Sequence, residues 1–140
     1  MSRRAAREAA LQALYQMEIG KVKEETAIAF VVEENILNEK QEKFVRGIVS
    51  GVLQNMDRLN GIIRETAIEW NLERMAVVDR NIIRIALFEI CYSDDVPPNV
   101  AVNEAIEMGK TFSTAESGKF INGILGKVLS SLQDYRVGVK

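Results

Sequence analysis

The 140-residue sequence contains no histidine, a single cysteine and only two prolines. Each shortage removes a class of function. Without histidine the chain lacks the commonest general base, the usual partner of a catalytic serine or cysteine, and the commonest metal ligand. The lone Cys91 excludes an internal disulfide and any multi-cysteine metal site. It lies in an apolar run and reads as a small core residue. Two prolines and nine glycines argue against a low-complexity chain. No run approaches the roughly 20 apolar residues of a membrane helix. Arg3, Arg4 and Arg7 open the chain without the apolar stretch and small-residue cleavage site of a secretion signal. The expectation is a cytoplasmic protein with no membrane, no metal and no cofactor.

What is present is enough apolar material for a core, 47% of residues, and enough charge, 27%, to keep one domain in solution. Net charge is −2 and by itself suggests no nucleic acid. Its distribution is more informative. Residues 1–20 carry +1, residues 110–140 carry +3, and the middle of the chain carries −6. Basic ends and an acidic centre suit two partners of different charge, although ordinary scatter gives the same tally.

Apolar residues recur at helical spacing throughout, and alternating strand patterns do not. Helices are expected over about Arg3–Glu18 with Gly20 as a stop, Glu24–Leu37, and from Asn38 through Met56. Asn38 and Gln41 make a capping box at the start of the third. The polar patch 55–57 breaks it before a fourth helix around Leu59–Ala67. The most apolar helix spans Val77–Tyr92, interrupted by Asp79, Arg80, Asn81, Arg84 and Glu89. Arg84 and Glu89 read as charges held by buried partners. SDDVPPN, residues 93–99, is a connector, since its prolines and aspartates cannot continue a helix. A helix over about Val100–Phe112 follows, then a last one capped by Ser113 with Glu116. The fold class is all-α: a single domain over residues 1–140 of about seven helices in two packed bundles, an N-terminal one over about 3–70 and a C-terminal one over about 71–135.

The last helix holds a puzzle. GKFINGILGKV, residues 118–128, carries three glycines, each costing roughly 1 kcal/mol relative to alanine in a helix. On a helical wheel Ile121, Leu125, Val128 and Leu132 form the core stripe, while Lys119, Phe120, Gly123 and Lys127 fall on the other side. Bare backbone permits close approach, lysine neutralises phosphate, and an exposed phenylalanine can stack on an unpaired base. On this stretch alone, tight packing of a neighbouring helix with Phe120 filling a gap is the simpler account. Arg3, Arg4 and Arg7 tip the balance. They extend an apolar helix face and are expected to project past it, presenting planar donor forks suited to phosphate and to bases. Folding that joins the two basic ends would make one surface.

Four stretches in order resemble the NusB family of transcription antitermination factors: RRAAREAALQALYQME at the start, VDRNIIRIALFEI at 78–90, DVPPNVAVNEAIEMGKTFS at 95–113, and SGKFINGILGKV at 117–128. The resemblance implies an all-α, non-enzymatic protein. It implies binding of single-stranded boxA-type RNA together with the ribosomal protein NusE, in a complex that keeps RNA polymerase elongating through ribosomal RNA operons. By match of motifs, the RNA side includes Arg3, Arg4, Arg7, Lys119, Phe120 and Asn122. The protein side includes Glu73, Asp79 and Arg80. Monomer and homodimer both occur in the family, and the sequence leaves that open. Two other readings stand beside this one: a structural helical dimerisation module, and an accessory RNA-binding subunit of an RNA-modifying enzyme. The chain shows no glycine-rich strand–helix turn that would hold a modifying enzyme's cofactor.

Overall fold

The computed structural model describes residues 3–67 and 71–137, and among them the regular structure is entirely helical. Eight α-helices follow in order: α1 (Arg3–Ile19), α2 (Glu24–Glu34), α3 (Glu39–Gln54), α4 (Met56–Thr66), α5 (Val77–Tyr92), α6 (Pro98–Phe112), α7 (Ala115–Ser130) and the single turn α8 (Leu132–Tyr135). A short 3-10 turn, Leu72–Arg74, precedes α5. The helices form two compact units, Met1–Gln54 and Asn55–Lys140.

In the first unit α1 packs on α2 and α3. Its buried side is alanine-rich (Ala6, Ala9, Ala10 and Ala13), and small side chains allow a close helix approach. Ile28 and Val31 of α2 and Val45, Ile48, Val49 and Val52 of α3 supply most of the remaining apolar bulk. The capping box at α3 forms in both directions. Gln41 N–H donates to Asn38 Oδ1 at 2.8 Å, and Asn38 N–H donates to Gln41 Oε1 at 3.1 Å. α2 stops three residues short of the expected Leu37. The Asn35 side chain donates to the Val31 carbonyl at 2.8 Å, and Ile36 turns into the left-handed region at φ 51°. Such a side-chain bond to the preceding turn competes with continuation of the helix. Across α2 and α3, the Arg46 fork grips both carboxylate oxygens of Glu25, at 2.8 and 3.0 Å, and also reaches Glu42.

In the second unit α5 is the hub, in contact with α4, α6 and α7. Its boundaries are those expected, and Ile82, Ile83, Ile85, Leu87 and Ile90 are fully enclosed. Arg84 is buried beside them and donates to Asn60 Oδ1 at 2.9 Å and Asn81 Oδ1 at 3.0 Å, so its charge is solvated by amide oxygens. α4, grouped with the preceding helices by its sequence, packs on α5, α7 and the 3-10 turn. α6 opens two residues earlier than expected, with Pro98 in the first turn, where a missing N–H costs nothing.

α6 and α7 form a tight helical hairpin, and Gly109 marks its close approach. A Cβ at Gly109 would lie 2.7 Å from Ile121 Cδ1, and one at Gly118 would touch the Lys110 stem at 3.4 Å. The cap of α7 is shifted by one residue from the expected position. Thr114, not Ser113, is the N-cap, and its Oγ1 accepts from Ser117 N–H at 3.2 Å. Glu116 therefore falls outside the capping box, and Ser117 occupies that position.

Candidate functional site

Within α7 the wheel assignment holds, whereas Leu132, expected on the core stripe, opens α8 and is half-buried. Ile121, Ile124, Leu125 and Val128 are buried; Lys119, Gly123 and Lys127 are exposed, and Phe120 is half-buried. Gly123 and Gly126 have open space where a side chain would be. Helix packing thus accounts for Gly109, whereas a Cβ at Gly118 would make only an ordinary contact and Gly123 and Gly126 have no neighbour to explain them.

The polar side of α7 forms one wall of a cleft of about 750 Å³ within the second unit. Buried Thr66, Ala67, Met75 and Ile124 lie at its base. Lys119, Lys127 and Arg74 give it three cations, opposed by Glu116 and Asp79. The Phe120 ring and the bare backbone of Gly123 share this wall. Lys127 Nζ also donates to the Thr66 carbonyl at 2.8 Å, at the C-terminal end of α4.

Asp79 is held by the α7 cap. Ser117 Oγ donates to Asp79 Oδ2 at 3.0 Å, and the Ser113 and Thr114 hydroxyl oxygens stand 2.9 and 3.1 Å from the same Ser117 Oγ. Asp79 Oδ1 is buried and has no hydrogen-bond partner among the described residues. Glu73 and Arg80 lie away from the cleft lining. Glu73 is exposed and pairs with Arg64 at 2.9 Å, and that guanidinium holds its carboxyl below the ordinary range. Arg80 donates to the Met75 carbonyl at 2.9 Å, closing the 3-10 turn onto α5. Asn122 is exposed on α7, outside the cleft lining.

The arginines of α1 differ from expectation in one respect. Arg3 and Arg4 are exposed, but Arg7 is 4% exposed and does not project past the helix face. Both Arg3 and Arg7 lie over the Phe44 ring of α3, at 5.0 and 5.3 Å from its centroid. The apolar stem of arginine, together with an aromatic ring to cover its planar head, makes this burial tolerable. Of the nine candidates, the structure brings Lys119, Phe120 and Asp79 to one cleft, and it places the α1 arginines in the other unit. Sequence reasoning missed Arg74 and Thr66 as cleft residues and Phe44 as the arginine support. It singled out Lys127 only as a wheel neighbour, although 119, 123 and 127 share one helical stripe.

No group of His, Cys, Asp or Glu suited to a metal occurs among the described residues, and none of their helices is long and apolar enough to cross a membrane. The fold and cleft define an all-α recognition protein, with cations, an aromatic ring and bare backbone offered together. The particular family follows from its relatives. The NusB family profile matches residues 4–130. Transcription antitermination protein NusB of Desulforudis audaxviator is 50% identical over 97% of this chain and 99% of its own length. That of Pelotomaculum thermopropionicum is 46% identical over 100% and 97%. The solved structure of T. maritima NusB superposes with a TM-score of 0.86 at 33% identity, covering 93% of this chain and 92% of that one. A structure of antitermination factors NusB and NusE in complex with dsRNA shares the fold, with a TM-score of 0.83 at 23% identity over 92% and 96%. The chain belongs to the NusB family.

Proposed function

We propose that the protein is a transcription antitermination adaptor. It binds single-stranded boxA-type RNA together with the ribosomal protein NusE, and it acts in the cytoplasm on RNA polymerase elongating through ribosomal RNA operons. It has no catalytic role. The observation that carries this reading is the α7 wall, where Phe120 lies half-buried beside Lys119, Lys127 and the open backbone of Gly123. A half-buried ring lining a cleft is suited to stacking on a splayed base, and flanking ammonium groups are suited to the adjoining phosphates. The relatives' shared name supports the antitermination role, and the assembly of NusB and NusE with dsRNA in the same fold supports RNA and NusE as partners, while the single-stranded form of the RNA rests on the Phe120 ring and the family resemblance.

In this reading RNA meets Arg3 and Arg4 of the first unit, with Arg7, the third α1 arginine expected there, covered at the Phe44 ring, and meets Lys119, Phe120 and Asn122 of the second, with Lys127 and Arg74 added by the cleft. Glu73, Asp79 and Arg80 form the side that meets NusE, a basic protein by expectation, where complementary charge speeds encounter and fixes register. Glu73 is already paired with Arg64, so a basic partner residue must exchange with that arginine or join it. Asp79 lies in the cleft lined by Phe120, so RNA and protein contacts would adjoin there. The test is the affinity of boxA-type RNA across a salt series, with and without NusE. The reading expects tighter binding with NusE and a loss of about 0.7 log units per tenfold salt for each phosphate contacted. Equal affinity with and without NusE, or binding indifferent to salt, would refute it.

A further inference from the structure

Arg3 and Arg7 stand one turn apart on α1, and like charges at that spacing repel. Both guanidinium carbons nevertheless lie over one ring, Phe44, at 5.0 and 5.3 Å from its centroid. The ring is half-buried, Arg7 is 4% exposed and Arg3 is exposed, so the cluster grades from a covered cation to a solvent-exposed one. The negative π-face of the ring attracts both guanidiniums and offsets their mutual repulsion. Phe44 is itself firmly placed. It sits in α3 just past the reciprocal Asn38–Gln41 cap, and α3 packs directly on α1.

We infer that Phe44 is a positioning residue for RNA recognition: it holds the Arg3 guanidinium in its RNA-facing conformation, with Arg7 as the covered member of the stack. The inference rests on the proposed RNA-binding role of the α1 arginines, and it assigns a function to a residue on a different helix. The physical basis is that stacking engages the flat face of a guanidinium, whereas hydrogen bonds to phosphate run in its plane. One group can therefore do both at once. A long side chain pinned before the ligand arrives loses less rotamer freedom on binding, which tightens the complex without adding a contact to it. Phe44 contributes affinity in this way without touching RNA.

The test uses the full chain and a boxA-type single-stranded RNA oligonucleotide, with thermal melting of every variant as a control. Phe44→Leu keeps apolar bulk and removes the π-face, and Phe44→Tyr keeps the ring. Phe44→Leu should weaken RNA binding about two- to fivefold, the range of a surface cation–π contact, and Phe44→Tyr should restore it. In an Arg3→Ala background Phe44→Leu should cost nothing further, because the residue it positions is gone. In the RNA-free wild type, the Arg3 side-chain Cζ and Nε resonances should carry a ring-current shift that disappears in Phe44→Leu. If Phe44→Leu fails to fold, Phe44→Met, which also lacks a ring, takes its place in this reading. The inference is overturned if Arg3→Ala weakens binding while Phe44→Leu does not, if Phe44→Leu costs the same with and without Arg3, or if the Arg3 shift is absent. If Arg3→Ala leaves RNA affinity unchanged, the RNA role of α1 itself fails, a result distinct from those three.

Discussion

Lys127 Nζ donates to the backbone carbonyl of Thr66 at 2.8 Å, so the polar face of α7 is fastened to the C-terminal end of α4. A cation there satisfies one of the carbonyls a helix end leaves without a partner and lies at the negative pole of the helix dipole. Lys127→Met should destabilise the protein by about 1 kcal/mol, read by chemical denaturation, because the ammonium is exposed and water replaces much of what it offers. Lys119 lies two turns earlier and carries no such task in the fold. Lys119→Gln should leave the denaturation midpoint within about 0.5 kcal/mol of wild type and lower the salt slope of RNA binding by about one phosphate contact. A large loss of stability in Lys119→Gln would contradict this division.

The glycines of the α6–α7 hairpin separate into two kinds with opposite expected behaviour. A Cβ at Gly109 would meet buried Ile121 at 2.7 Å. Gly109→Ala should therefore destabilise by up to about 1 kcal/mol net, since the Ile121 δ-methyl must turn aside in a packed core and helix propensity offsets part of that cost. Gly123 has open space around it. Gly123→Ala should therefore stabilise by up to about 1 kcal/mol through helix propensity. Gly123 lines the cleft beside Phe120, so the same substitution should weaken RNA binding. A more stable variant that binds RNA less well is the signature of a glycine kept for a ligand. Unchanged affinity in Gly123→Ala would remove that reason for it.

Acid sensitivity should trace in part to the α2–α3 clamp. Hydrogen bonding to Arg46, then its charge, holds the Glu25 carboxyl below the ordinary range. A carboxylate depressed in the folded state contributes stability that is complete above its unfolded pKa and is lost as pH falls through the folded value. The clamp should therefore be at full strength at neutral pH and weaken only below the ordinary glutamate range. Arg46→Met should return the Glu25 titration, followed by carbonyl NMR, to that ordinary range. A titration unmoved by Arg46→Met would show that the fork does not hold in solution.

Cys91 offers a probe of global opening. The thiol is fully buried in α5, and burial pushes its pKa up. Thiolate is the reactive form, so labelling of the native protein should be slow at mildly alkaline pH and should accelerate with unfolding. Fast native labelling would mean that α5 opens locally.

Much of this architecture is visible in the sequence where local rules decide. The boundaries of α5 follow from an apolar segment ending at a connector, and the α3 cap follows from Asn38 and Gln41 alone. The two faces of α7 follow from spacing. Other features depend on neighbours distant in the chain. Ser113 and Thr114 are both competent caps, and the Ser117–Asp79 contact, 38 residues apart in sequence, accompanies the choice of Thr114. Arg7 reads as a projecting charge because its burial depends on Phe44 of another helix. Gly109 looks no different from Gly123 and Gly126 until the partner helix is in place.

The central claim is that the Phe120 ring on α7 contacts RNA. The most direct measurement is the affinity of Phe120→Leu for a boxA-type oligonucleotide, with NusE present, against wild type under identical salt. Leucine preserves apolar bulk at this half-buried position and removes only the aromatic plane. The account predicts a loss of about fivefold or more, the low end of a base–aromatic stack. An affinity equal to wild type from a folded Phe120→Leu protein would contradict it.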